Sequence, residues 1–128
     1  LTIDQEKAFD KVDIDFLDSI LCKANFGPVF RNWIKVIYKN ITSQIINNGH
    51  LSHKFVVGRG VRQGCPLSPL LYALIVETVA EAIRQEPKIK GYRLGKHSIK
   101  ITQYADDTTL IVSALASYKE AMTTFHRF

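Results

Sequence analysis

Two apolar runs flank the tetrad Tyr104-Ala105-Asp106-Asp107, and no other stretch constrains the chain as much. Before it, Ile99-Lys100-Ile101-Thr102-Gln103 alternates apolar and polar residues; after it, Thr108-Thr109-Leu110-Ile111-Val112 is largely β-branched and apolar. Two strand-like runs joined by a short acidic connection predict an antiparallel hairpin with carboxylates at its tip. Asp-Asp is ordinary turn chemistry. It is also a pair of like charges that gains from a nearby cation, and Mg²⁺ is the hard, oxygen-preferring candidate. A third carboxylate, Asp4, favours the second reading: it closes the short strand-like run Leu1-Thr2-Ile3 at the other end of the chain.

The intervening residues read mostly as helices. Phe16, Leu17, Ile20, Leu21 and Ala24 recur at helical spacing, with Asp13 or Asp15 as cap. Gly27-Pro28 ends that helix and starts another, with Val29, Phe30, Trp33, Ile34, Ile37 and Tyr38 on its apolar face and Arg31, Lys35 and Lys39 in a solvated stripe. Asn47-Asn48-Gly49-His50 signals a hairpin between strands at 43–46 and 51–57, and His50 and His53 are expected in exposed loops. Ser68 as cap and Pro69 as first residue open a helix running to about Gln85. Its apolar breadth predicts a central, buried helix. A basic run follows through Lys88, Lys90, Arg93, Lys96, His97 and Lys100, and Ser117 with Glu120 suggests a capping box before a last helix.

The bulk properties set limits. A chain of 128 residues, 46% hydrophobic and 23% charged, suits one modest folded core. A net charge of +5 leans towards a polyanionic partner. Cys22 and Cys65 form no CxxC pair, which leaves neither a zinc site nor a disulfide framework. No apolar run reaches the ~18 residues of a membrane span, so no membrane partner is expected. Leu1 and Phe128 both fall inside predicted elements, so the chain is expected to be a piece of a longer protein.

Three carboxylates at strand ends suit phosphoryl transfer to a polynucleotide. Two divalent ions ~3.5–4 Å apart lower the pKa of an attacking hydroxyl and neutralise the leaving pyrophosphate. For Asp4 to meet Asp106 and Asp107, strands far apart in sequence must share an antiparallel sheet with helices behind it. Phe9, one short turn beyond Asp4, is placed to stack under an incoming sugar and to collide with a ribose 2′-hydroxyl. The glycines of Gly58-Arg59-Gly60-Val61-Arg62-Gln63-Gly64-Cys65-Pro66 make either a tight strand-to-helix connection or a loop that lies close against a base pair.

Asp4-x-x-x-x-Phe9-Asp10, Gln63-Gly64-x-Pro66-x-Ser68-Pro69 and Tyr104-Ala105-Asp106-Asp107, in this order and spacing, resemble motifs A, B and C of reverse transcriptases. The strings 6–10 and 59–71 resemble non-LTR, LINE-type retrotransposon polymerases in particular. The resemblance covers nearly the whole chain. It implies an α+β polymerase palm, a small antiparallel sheet backed by helices, with part of the fingers/palm connection. Residues 1–128 would be a partial reverse transcriptase domain whose fingers lie upstream and thumb downstream. The implied function is RNA-directed DNA polymerase, joining dNTP to a DNA primer on an RNA template.

By the same resemblance, Asp4 and Asp106 are metal-bridging acids, Asp107 is accessory, and the Gln5 carbonyl is a backbone ligand for two Mg²⁺, with Mn²⁺ as a substitute. Phe9 is the sugar gate. Gln63 and Gly64, with Pro66, lie along the nascent pair, and Tyr104, with Ala105, touches the primer end. Gln5 departs from the alanine more frequent in the LINE pattern, a difference of no consequence if only its backbone serves. The implied setting is an intracellular retrotransposon ribonucleoprotein, cytoplasmic or nuclear, within a larger polyprotein. A domesticated nucleic-acid-binding module and a group II intron-type reverse transcriptase are the alternatives.

Overall fold

The computed structural model describes residues 1–127; Phe128, which the sequence places in a last helix, lies outside the described residues. In chain order the elements are β1 (Thr2–Asp4), α1 (Ile14–Lys23), α2 (Pro28–Tyr38), β2 (Thr42–Ser43), β3 (Ile46–Asn47), β4 (His50–Leu51) and β5 (Phe55–Val56). There follow α3 (Ser68–Gln85), β6 (Tyr92–Leu94), β7 (His97–Ile99), β8 (Ile101–Tyr104), β9 (Asp107–Leu110) and α4 (Leu115–Phe125). This is the expected α+β architecture. It divides into two units, Leu1–Ala8 with Pro69–Phe128, and Phe9–Ser68.

The first unit holds a three-stranded antiparallel sheet in the order β1-β9-β8. Ile3, Ile101, Leu110 and Val112 pack against Val79, Ala80 and Ile83 of α3 and Ala121, Met122 and Phe125 of α4, with Ile89 between the helices in sequence. Fully buried aliphatic side chains such as Ile83, Ile89 and Leu110 each contribute about 1.5–3 kcal/mol. The hairpin β6-β7 sits beside this sheet, with Gly91 bridged to Val112.

Two readings of this unit change. Ser117 does not open a capping box: α4 begins at Leu115 with Ala114 as cap. The buried Ser117 hydroxyl donates to Lys88 O at 3.2 Å and accepts from Lys90 N at 3.0 Å, tying α4 to the chain after α3. The basic run is also shorter than it reads. Lys100 Nζ donates to Arg84 O at 2.8 Å and Glu86 O at 2.7 Å, satisfying carbonyls at the end of α3. Lys88 pairs with Glu120 at 3.7 Å.

In the second unit, Asp13 caps α1, accepting from Phe16 N at 2.9 Å, and Pro28 opens α2 as expected. Leu17, Ile20 and Leu21 of α1 and Ile34 and Tyr38 of α2 are buried. The basic stripe on α2 is not simply solvated. Arg31 donates to both carboxylate oxygens of Asp18 at 2.8 and 2.7 Å, and Lys35 lies 2.8 Å from the same group. The two cations hold the Asp18 carboxyl far below the usual carboxylate range, the Arg31 hydrogen bond contributing most. Asn48 and Gly49 both take positive φ in the two-residue turn joining β3 and β4, the geometry that suits a twisted hairpin.

Candidate active site

Register places the acids. Asp4 is the partner of Asp107 across β1 and β9, and Asp107 is the partner of Tyr104 across β9 and β8. Side chains directly opposite one another share a face, with Cβ atoms about 4.5–5.5 Å apart. Asp4, Asp107 and Tyr104 therefore form one row on the open face of the sheet, and Thr2, Thr109 and Thr102 form the next. The hydroxyls of Thr2 and Thr109 meet at 3.3 Å. The alternate residues face the core: Ile3 packs there, Thr108 is fully buried, and Gln103 Nε2 donates to its hydroxyl at 3.3 Å. Period two thus turns Thr2, Asp4, Thr102 and Thr109 to the open face and Ile3, Ile101 and Leu110 to the core, with Thr108 and Gln103 paired on the inner face.

The turn itself is Ala105-Asp106. Ala105 takes φ +52°, a left-handed conformation that costs a non-glycine residue roughly 1–2 kcal/mol. Asp106 occupies the tip, one residue before the Asp107 that faces Asp4. Tyr104 is 85% exposed, an unusual position for a large aromatic side chain and one that leaves its ring free to meet a ligand.

Beneath this row lies a residue that the sequence reading passed over. Tyr72 of α3 is only 3% exposed, and its hydroxyl donates to Gln5 Oε1. Burial, and next the nearby negative charge of Asp106, push its pKa up to about 12. The available signal was a hydroxyl-bearing ring within an otherwise aliphatic buried helix face, since a buried phenol needs a partner.

The other candidates, Phe9, Gln63, Gly64 and Pro66, belong to the second unit. Phe9 is half-buried, and its carbonyl accepts from Val61 N at 2.8 Å; Gly60 N donates to Val12 O at 2.8 Å. The glycine-rich loop therefore runs along the segment after Asp4's strand, and Gln63 Nε2 reaches Asp10 Oδ1 at 3.3 Å. Gly60, at φ +98°, has a specific cause: a Cβ there would stand 2.9 Å from Asp10 O and 3.1 Å from Phe9 O. It is the chain's own backbone that approaches this glycine. Gly64, at φ +82°, faces open space, as an exposed loop residue would. A cleft of about 350 Å³ opens beside the loop, lined by Asp10, Ser43, Arg59, Arg62 and Gln63 among others.

Residues 1–128 match the protein family described as reverse transcriptase (RNA-dependent DNA polymerase). The chain belongs to that family. It is 37% identical over 123 residues to the transposon TX1 uncharacterized 149 kDa protein of Xenopus laevis, covering 94% of this chain and 9% of that protein. It is 31% identical over 109 residues to the retrovirus-related Pol polyprotein from type-1 retrotransposable element R2 of Nasonia vitripennis, covering 85% of this chain and 10% of that protein. The corresponding type-2 element R2DM polyprotein of Drosophila melanogaster is 29% identical over 108 residues, again 10% of its length. The chain thus spans about a tenth of these relatives. Among the described residues no helix is long and apolar enough to cross a membrane.

Reverse transcriptases generally use divalent metal ions. Among the described residues no three His, Cys, Asp or Glu side chains already converge as a metal cage. A hard ion that draws the rest of its shell from phosphates and water needs only one or two protein carboxylates. Asp4 and Asp107, exposed and opposite one another, carry the one or two carboxylates that such a mode asks for, with oxygen atoms alone and no soft ligand to favour another metal.

Proposed function

We propose that the chain is the palm core of an RNA-directed DNA polymerase that adds dNTPs to a primer 3′-hydroxyl on an RNA template. The observation that carries this reading is the pairing of Asp4 with Asp107 across adjacent strands, with Asp106 next to them at the hairpin tip. Residues about a hundred positions apart meet as carboxylates at one end of a single sheet. Their mutual repulsion is tolerable in water and becomes useful when a cation arrives. Asp4, Asp106, Asp107 and the Gln5 carbonyl would hold two Mg²⁺, which lower the pKa of the primer hydroxyl and neutralise charge on the departing pyrophosphate.

The other residues then position the reactants, the dominant contribution in phosphoryl transfer. Tyr104, exposed in the same row as the acids, contacts the primer end, with Ala105 keeping the turn small. Phe9 closes the sugar site against a 2′-hydroxyl. Gln63, Gly64 and Pro66 follow the nascent pair, Gly64 leaving open backbone for it. Fingers and thumb would come from the remainder of a polyprotein such as those of the relatives.

Primer extension by the full-length polymerase carrying Asp106→Asn is the test. An amide of equal size keeps the turn but not the charge, so synthesis should be abolished while the thermal midpoint holds. Residual activity above about a tenth of wild type, a barrier change under ~1.4 kcal/mol, would remove Asp106 from the catalytic set.

A further inference from the structure

We infer that Tyr72 is a positioning residue for the catalytic acids, acting through the side chain of Gln5. The inference rests on the polymerase reading above. The β1 ladder ends at the pair Asp4–Asp107, and the chain leaves the sheet at the next residue, Gln5. Strand hydrogen bonding therefore orients Asp4 from one side only. On the other side, the half-buried Gln5 side chain accepts from the buried Tyr72 hydroxyl, which anchors it to α3. This helix packs its Val79, Ala80 and Ile83 against the sheet core, so it is a firm support for the strand end.

Tyr72 thus ties the end of β1, one residue beyond Asp4, to α3 through a hydrogen bond. Gln5 consequently has a side-chain role as well as any backbone one, which its identity alone does not disclose. A tyrosine that merely filled the core would be replaceable by phenylalanine without consequence at the acids, since the ring would remain and only the hydroxyl would go.

The experiment compares Tyr72→Phe, Gln5→Ala and the double variant in the full-length polymerase. It measures kcat and KM for dNTP across Mg²⁺ concentrations, Mn²⁺ binding to the protein without nucleic acid by electron paramagnetic resonance, and the thermal midpoint without metal. Losing one hydrogen bond should raise the half-saturating Mg²⁺ and Mn²⁺ concentrations about three- to tenfold. Activity should recover at high Mg²⁺, KM for dNTP should stay the same, and the double variant should be no worse than either single one. Metal affinity within twofold of wild type in Tyr72→Phe would overturn the inference, as would full additivity of the two substitutions. Should Tyr72→Phe fail to fold, Gln5→Ala decides by the same criterion, because it removes the acceptor without touching the helix. Asp106→Asn, assayed alongside, separates the two levels. If it is dead while Tyr72→Phe binds metal normally, only the inference fails; if it is active, the polymerase reading fails with it.

Discussion

Gly91→Ala should unsettle the acidic hairpin from outside the acids. Gly91 bridges to Val112, and a Cβ built on it would stand 2.2 Å from Ile99 O and 2.7 Å from Ile99 C. That falls short of the 3.4 Å at which ordinary contact begins by more than an ångström, and the obstruction is backbone. The chain between Ile99 and Ile101 must move, and Ile101 is the first paired residue of β8. Overpacking of this kind costs about 1–3 kcal/mol. The neighbouring bonds Ile111 N to Lys100 O at 2.8 Å and Ser113 N to Lys90 O at 2.9 Å are then strained, at roughly 1 kcal/mol each. The total, ~3–5 kcal/mol, corresponds to a fall of about 10–20 °C in the thermal midpoint. A displacement of about 1 Å carried to the hairpin tip would also lower kcat on the order of 100-fold. Thermal and urea unfolding test the first figure and primer extension by the full-length polymerase the second. Gly58→Ala is the control, since nothing lies within 4 Å of its Cβ position and its φ is not positive; it should stay within ~1 kcal/mol of wild type. Stability of Gly91→Ala within about 0.5 kcal/mol of wild type, with normal activity, would refute the steric reasoning.

Two further outcomes follow from charge. Asp18 has its pKa depressed in the folded state by Arg31 and Lys35, so its contribution is present above the usual carboxylate pKa and lost as pH falls through the folded value. The acid limb of a melting-temperature profile should therefore flatten in Asp18→Asn, and an unchanged limb would show that the cluster is energetically idle. Arg93 and Lys96, on an exposed hairpin and without ion pairs among the described residues, are the remaining cations of the basic run best placed for phosphate. Arg93→Ala with Lys96→Ala should weaken binding of residues 1–128 to primer–template and reduce the salt slope by ~1.5. Lys100→Ala should instead lower stability and leave that slope unaltered, because Lys100 is spent on carbonyls at the end of α3.

Local rules carried the sequence far. The acidic hairpin, the Asn48-Gly49 turn, Asp13 as cap and Pro28 at the start of a helix all depend on short-range sterics and hydrogen bonding, which a few adjacent residues settle. The motif spacing located the acids for the same reason: Asp4 and Asp107 lie at the ends of strands, and Asp106 in the turn between strands, that are legible by themselves. Which partner each side chain takes is a different matter. Ser117 and Glu120 have the spacing of a capping box, yet the hydroxyl serves Lys88 and Lys90 because α4 packs beside them. Arg31, Lys35 and Lys100 read as surface charge, and find Asp18 or helix carbonyls only once helices are side by side or a strand passes a helix end. The facing of Asp4 with Asp107 joins residues about a hundred positions apart, and the bond from Tyr72 to Gln5 joins residues 67 positions apart. No local periodicity encodes such pairings. They are set when the sheet takes the register that buries Thr108 and Leu110 and packs Ile3 against the core, and a slip of one residue would turn Asp4 to the other face.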